Sequence, residues 1–303
     1  MTTHPRPHHP VLGASLKLLS VVFLAGMAAC VKYLGHGVPL GETMFARSSI
    51  ALLVMAGVAY FGTGLHTLKT NRPWTHAIRS TTGTLGMMCN FGALTLLPLV
   101  QVTTMFLTTP MFVTLLAMAF LGERIHAFRW TALAIGLTGA VVIVLPELSW
   151  QRSPETVGVA LAFGSAMLAA VSLFFIRSMS GEEHAVTITF YFMLTATVCS
   201  LLTLPFGWVM PDRMQLLALL LTGLLGAIGQ FLLTLSFRYA EASTVAPLDY
   251  ANLVVSGVLG YLIFDELPQW SMWLGAPLVT ISGLIIFWRE YRLRLERDRL
   301  LPE

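Results

Sequence analysis

The sequence predicts an all-α membrane protein, with ten transmembrane helices arranged as two inverted five-helix repeats around a central cavity. Three observations carry that reading: a scarcity of charge, a series of apolar windows of membrane-spanning length, and internal similarity at a fixed offset. Of the 303 residues, 56% are hydrophobic and only 11% charged, whereas soluble domains devote roughly a quarter of their residues to charge. So few charges cannot cover a water-facing surface. At roughly 20 apolar residues per crossing of a ~30 Å hydrocarbon core, about ten crossings consume the chain and leave no room for a soluble domain.

Taken in order, the first predicted span runs from 11 to 33. Arg6 and the stretch Met27-Ala28-Ala29-Cys30 loosely imitate a cleaved leader, but the apolar run continues to Leu34 at full spanning length and further spans follow. The turn-rich Gly35-His36-Gly37-Val38-Pro39 leads to the second span, 43 to 62, and Lys69-Thr70-Asn71-Arg72-Pro73 to the third, 75 to 96. Apolar windows then place spans at 99 to 121, 127 to 146, 156 to 177 and 186 to 205. Met210-Pro211-Asp212-Arg213 marks another loop, before spans at 213 to 236, 243 to 264 and 271 to 288. After Trp288 the chain turns basic with Arg289, Arg292, Arg294, Arg297 and Arg299, the composition of a membrane-surface anchor.

Alternate connections differ sharply in charge. With a cytoplasmic N-terminus, the inner side holds fourteen Lys and Arg, and the outer side holds Lys32, Arg47, Arg152 and Arg213. The positive-inside rule therefore predicts both termini in the cytoplasm. Gly83, Gly86, Asn90 and Phe91 recur 140 residues later as Gly223, Gly226, Gln230 and Phe231, and Thr103-Thr104 as Ser243-Thr244; Glu123 and Trp130 match Glu266 and Trp273 after a shift of three. Five crossings per unit is odd, so the second unit enters from the opposite face, as in carriers that alternate access around a central site. The predicted divisions are 1–150 and 151–288 for the repeats and 289–303 for the basic cytoplasmic tail.

Polar groups inside the spans are the candidates for chemistry, since they are costly in hydrocarbon without a partner or a wet cavity. Asn90 and Gln230, each followed by a phenylalanine (Phe91, Phe231), can hydrogen-bond a substrate or tie helices together. Asp249, beside Tyr250 and after Pro247, can bind a cationic group or take a proton, or sit near the interface and reach water. Lys32, Arg47 and Arg79 lie near predicted helix ends, where snorkelling to the headgroups is expected. Glu123 and Glu266 close the fourth and ninth spans against the helix dipole, which calls for a turn-defining bond or a gating salt bridge. The pairs Gly83/Gly86, Gly136/Gly139 and Gly223/Gly226 suit close helix approach. The eight histidines fall in loops, tails or helix ends, and Cys30, Cys89 and Cys199 lack metal-ligand spacing. Neither a metal, a cofactor nor an enzymatic nucleophile is expected.

Pro110 through Leu121-Gly122-Glu123 in the first half, and Ala246-Pro247 through Gly260 to Phe264-Asp265-Glu266 with Gly275 and Gly283 in the second, resemble the tandem EamA-type carriers of the drug/metabolite transporter superfamily. The similarity spans nearly the whole chain; the second half departs from it where Asp265 replaces the glycine found at 122. The resemblance implies ten helices around a cavity lined by the first, third, fourth, sixth, eighth and ninth. It also implies a secondary transporter in a bacterial inner membrane. The expected cargo is a small metabolite, an amino acid or related amphipathic compound, moved by alternating access and more in the direction of export. Protons are the candidate coupling ion, and the lipid bilayer, not nucleic acid, is the expected partner. A non-transporting scaffold or receptor is the alternative.

Overall fold

Proline and glycine set the helix boundaries. The computed structural model describes residues 9–35, 37–121, 127–145, 154–179, 181–240 and 245–300, and every regular element among them is helical. Helix α1 (Pro10–Leu34) opens with proline, whose missing N–H costs nothing in a first turn, and α2 (Leu40–Val58) starts directly after Pro39. A π turn and a short 3-10 turn lead to α3 (Pro73–Leu96), again begun by proline. There follow α4 (Leu99–Phe106), α5 (Thr109–Leu121), α6 (Ala127–Val144), α7 (Pro154–Met179) and α8 (Ala185–Leu201). Helix α9 (Arg213–Tyr239) is capped by Asp212, whose carboxylate accepts from the Gln215 N–H while the Gln215 side chain accepts from the Asp212 N–H. A 3-10 segment (Ala246–Tyr250) feeds α10 (Ala251–Phe264), and α11 (Trp270–Leu300) continues as helix through the basic tail.

Eleven α-helices among the described residues make ten crossings, because the fourth is built of α4 and α5 and the tenth of α11. Four stretches are each long and apolar enough to span alone: Val11–Leu34, Leu40–Gly62, Pro154–Met179 and Arg213–Tyr239. The remaining crossings are shorter, broken, or, for α3, interrupted by His76 and Arg79. Outward-facing side chains such as Leu53, Leu137, Leu217 and Val254 are apolar and exposed, as a lipid-facing surface requires.

The fourth span, expected as one helix, breaks at Leu107-Thr108. There the Thr108 N–H turns back to Met105 O at 3.0 Å, and Pro110 can donate no bond to continue the ladder. The repeat-related ninth span is likewise discontinuous, 3-10 before Tyr250 and α after it. Its far end is finished by Asp265 at φ 53°, ψ 28°, in the left-handed region. Aspartate tolerates that conformation better than most residues, so the turn survives without the glycine of the first repeat.

Directions follow from contacts. Lys32, near the end of α1, donates to Leu97 O just past the end of α3 (2.7 Å), so α1 and α3 run together. Helix α9 runs against α1, because the start of α1 meets the end of α9 through the bond from His9 N–H to Tyr239 O (3.1 Å), and Gly26 sits by Leu225. The third and eighth spans therefore run oppositely, as inverted repeats require. At the end of the bundle where α1 begins, Arg72 pairs with Glu182 (2.7 Å) and Thr70 donates to Glu183 (2.6 Å), joining the loops of the two repeats.

Candidate functional site: a central cavity

A cavity of about 300 Å³ lies between the repeats, lined by parts of α1, α2, α3, α4, α5, α7, α8, α9, α10 and α11. From α1 it takes Lys17 to Ala28, from α7 Ala169 to Arg177, and from α9 Gln230 and Leu233. The α7 and α9 sets belong to the half of the helix nearer the end where α1 begins, and the α1 set runs from that half to just past the middle of the helix. Toward the other end, Val31, Leu34, Leu97 and Leu99 are fully buried. The cavity thus opens toward the end of the bundle that carries the start of α1, where the Asp249 side chain is 42% exposed.

Of the residues singled out from the sequence, Asn90, Phe91, Gln230, Asp249 and Tyr250 line this one space. Phe231 does not, being turned about 100° around α9 from Gln230. Asn90 is half-buried and Gln230 buried, and neither side-chain amide has a hydrogen-bond partner among the described residues. The Tyr250 hydroxyl is buried without a partner and occupies the space that a Cβ on Gly283 would need. Glu123 lies outside the described residues.

The charges are arranged otherwise than expected. Asp249 is paired with Lys17 at 2.6 Å, and Lys17 is 4% exposed, so the carboxylate already has its cation. Arg47 and Arg79 do not snorkel: they are 3% and 2% exposed and line the cavity. Their helices begin at Leu40 and Pro73, so each arginine sits roughly 10 Å inside its helix at 1.5 Å per residue. The two helices enter from opposite ends, and both guanidiniums converge on the Phe192 ring, Arg47 at 5.7 Å and Arg79 at 3.9 Å from its centroid. Arg177 is a fourth basic group on the wall, 5.7 Å above Phe237. Against four basic side chains, Asp249 is the single carboxylate among the described lining residues.

Sequence reading also missed Asn252, whose Oδ1 accepts from Ser256 (3.1 Å); the Ser256 hydroxyl in turn lies 3.0 Å from that of Thr103, linking α10 to α4 at the wall. Its spacing of three residues from Asp249 was the available signal.

The closed end is held by a cluster outside the cavity. Lys32 pairs with Glu266 at 2.7 Å and donates to Leu97 O, while the other Glu266 oxygen accepts from the Leu99 N–H at 2.9 Å. One carboxylate thereby ties α1, the α3–α4 turn and the end of α10. Lys32, expected at the headgroups, is instead largely buried in this knot.

Known proteins share both sequence and architecture. A riboflavin transporter of Rhizobium johnstonii is 35% identical over 232 residues, covering 76% of this chain and 75% of its own. An S-adenosylmethionine uptake transporter of Rickettsia bellii is 31% identical, with 92% and 94% covered, and a pseudopaline exporter of Pseudomonas aeruginosa is 31% identical, with 90% and 95% covered. A solved crystal structure at 18% identity superposes over 93% of this chain and 98% of its own with a TM-score of 0.67, a match of fold. The EamA-like transporter family matches residues 11–145 and again 156–288. With both repeats matched, this multi-pass membrane protein belongs to the EamA-like transporter family.

Proposed function

We propose that the protein is a secondary carrier that moves a small amphipathic metabolite across a bacterial inner membrane by alternating access. The observation that carries this reading is the cavity itself: it reaches one end of the bundle and stops at the Lys32–Glu266 knot before the other. Asn90 and Gln230 hold unsatisfied amides toward it, with Phe91 and Tyr250 as apolar walls. Polar groups kept without protein partners cost stability, which a hydrogen-bonding cargo in the occupied state offsets. Had the amides served only to join helices, bonds between them and neighbouring helices would be expected.

In this cycle the Lys32–Glu266 knot is the latch of the closed end, and the Lys17–Asp249 pair stands at the open mouth. A proton arriving at Asp249 would release Lys17, which makes that pair the candidate coupling element. The relatives named for uptake and for export imply a scaffold usable in either direction; export of a metabolite that accumulates in the cytoplasm is the direction we favour.

Counterflow in proteoliposomes tests the reading. Vesicles loaded with unlabelled metabolite should take up the labelled form faster than protein-free vesicles, across a panel of amino acids, vitamins and organic acids. A properly folded preparation that moves none of them would instead mark a scaffold or receptor.

A further inference from the structure

A charged side chain within a membrane bundle is retained where a counter-charge or a solvated ligand compensates it. Lys17 has Asp249 and Lys32 has Glu266. Arg47 and Arg79 have no carboxylate within ion-pair distance among the described residues. The Arg47 guanidinium instead meets thioethers, with Nε donating to Met27 Sδ at 3.2 Å and Nη1 directed at the sulfurs of Met87 and Met193. Sulfur is a weak acceptor. Arg79 sits over the Phe192 ring, 3.9 Å from its centroid, and its Nε and Nη1 are buried with no hydrogen-bond partner. A ring face offsets only part of what a guanidinium loses on leaving water. Two such groups face one cavity, share one aromatic ring and approach from opposite ends of the bundle.

We propose that Arg47 and Arg79 form an anion clamp, and that the substrate is therefore an organic oxyanion, a carboxylate or phosphate, whose apolar body lies against Phe91, Phe106 and Leu94. Planar guanidiniums donate in parallel pairs to such groups, so an oxyanion supplies both the missing acceptors and the missing charge. An amino group on the substrate is not needed for this, because Asp249 is already neutralised by Lys17. The inference rests on the carrier reading for its physiological meaning, but binding can be measured without transport.

The test uses the full chain purified in detergent, and four probes with one aromatic body and different heads: phenylacetate, phenyl phosphate, phenylacetamide and phenethylammonium. Saturable thermal stabilisation by phenylacetate, phenyl phosphate or both is expected, and which of them acts identifies the oxyanion. The amide and the amine should stabilise far less. Arg79→Gln and Arg47→Gln should each weaken the responding anion on the order of tenfold to a hundredfold, while the melting temperature of the unliganded protein stays level or rises because an uncompensated charge is gone. Arg79→Lys, which keeps charge but not the planar fork, should fall between. Equal stabilisation by the amide or amine, no stabilisation by either acid, or unchanged affinity in both glutamine variants would overturn the clamp. So would a collapse of unliganded Arg79→Gln combined with wild-type affinity in Arg79→Lys, which would assign Arg79 to packing. Acid binding without counterflow leaves the clamp standing and removes the carrier reading. Counterflow of a neutral or cationic metabolite that Arg47→Gln and Arg79→Gln leave unchanged does the reverse.

Discussion

Asp249 and Lys17 illustrate how a partner changes the meaning of a residue. A lone carboxylate at the cavity mouth invites a cationic cargo, but with Lys17 at 2.6 Å the same carboxylate holds a buried ammonium in place. Asp249→Asn alone should therefore destabilise the protein by about 1–3 kcal/mol, less than the roughly 3–5 kcal/mol of a fully buried pair because Asp249 is part-exposed. Lys17→Met with Asp249→Asn should recover much of that loss in detergent melting. A double variant no more stable than the single one would mean the pair is not coupled. Flux with an altered pH profile in the recovered double variant would mark the pair as the coupling element; an unchanged profile would leave it as packing. Asn90, Gln230 and Asp249 were legible because an amide or carboxylate in an apolar window is conspicuous and the 140-residue offset aligned two of them. Arg47 and Arg79 look interfacial in the sequence because the apolar windows that start at 43 and 75 place both near helix ends. The prolines at 39 and 73 move those starts to Leu40 and Pro73, which puts Arg47 nearly a turn deeper and Arg79 about half a turn deeper.

At the level of elements, the discontinuous fourth and ninth spans matter most. A turn at Leu107-Thr108 and a 3-10 segment ending at Tyr250 put backbone that departs from the α-helix beside the cavity, where membrane proteins tolerate it. Hydropathy could not reveal them, because a broken apolar segment is as apolar as a continuous one. The knot at the closed end gives a direct expectation. In a background with Cys30, Cys89 and Cys199 replaced by serine, a cysteine at Thr103 should react faster with an impermeant maleimide added from that side once Lys32 is changed to Met. Unchanged labelling would deny the knot a gating role. Packing offers a second expectation, since α6 and α11 touch through backbone: a Cβ on Gly275 would lie 2.6 Å from Gly139 O and one on Gly139 2.8 Å from Gly275 O. Neither carbonyl can yield without moving a helix. Gly275→Leu should lower the melting temperature, at a cost of about 1–3 kcal/mol or more. Gly57→Ala, where a Cβ meets nothing within 4 Å, should leave it level. Equal effects at both positions would dismiss the contact.

For the whole molecule, the inverted repeat followed from arithmetic on the sequence: an odd number of spans duplicated at a fixed offset cannot re-enter from the same face. The pairing of opposite helices between repeats, α1 with α9 and α3 with α7, could not be read that way, because it depends on which small residues meet across an interface. Gly229 against Leu24 and Gly86 against Leu168 are such meetings. The fourteen-to-four distribution of Lys and Arg sets the expected orientation. A fluorescent protein fused to the C-terminus should glow, and alkaline phosphatase at the same point should stay inactive. The opposite pair of results would turn the molecule over and place the cavity mouth in the periplasm.

The unequal charge on the cavity wall has an electrical consequence. When the repeats rock, the membrane field is redistributed around the site, and each uncompensated charge that crosses it is worth about 2.3 kcal/mol per 100 mV. An occupied clamp carries its counter-ion with it, whereas an empty one must make the return journey charged. The slow, voltage-dependent step should therefore be the return of the vacant carrier. In potential-clamped proteoliposomes, one-for-one exchange should be fast and nearly indifferent to potential, while net flux should be slower and change with it; equal voltage dependence of the two would place the sensing charge elsewhere.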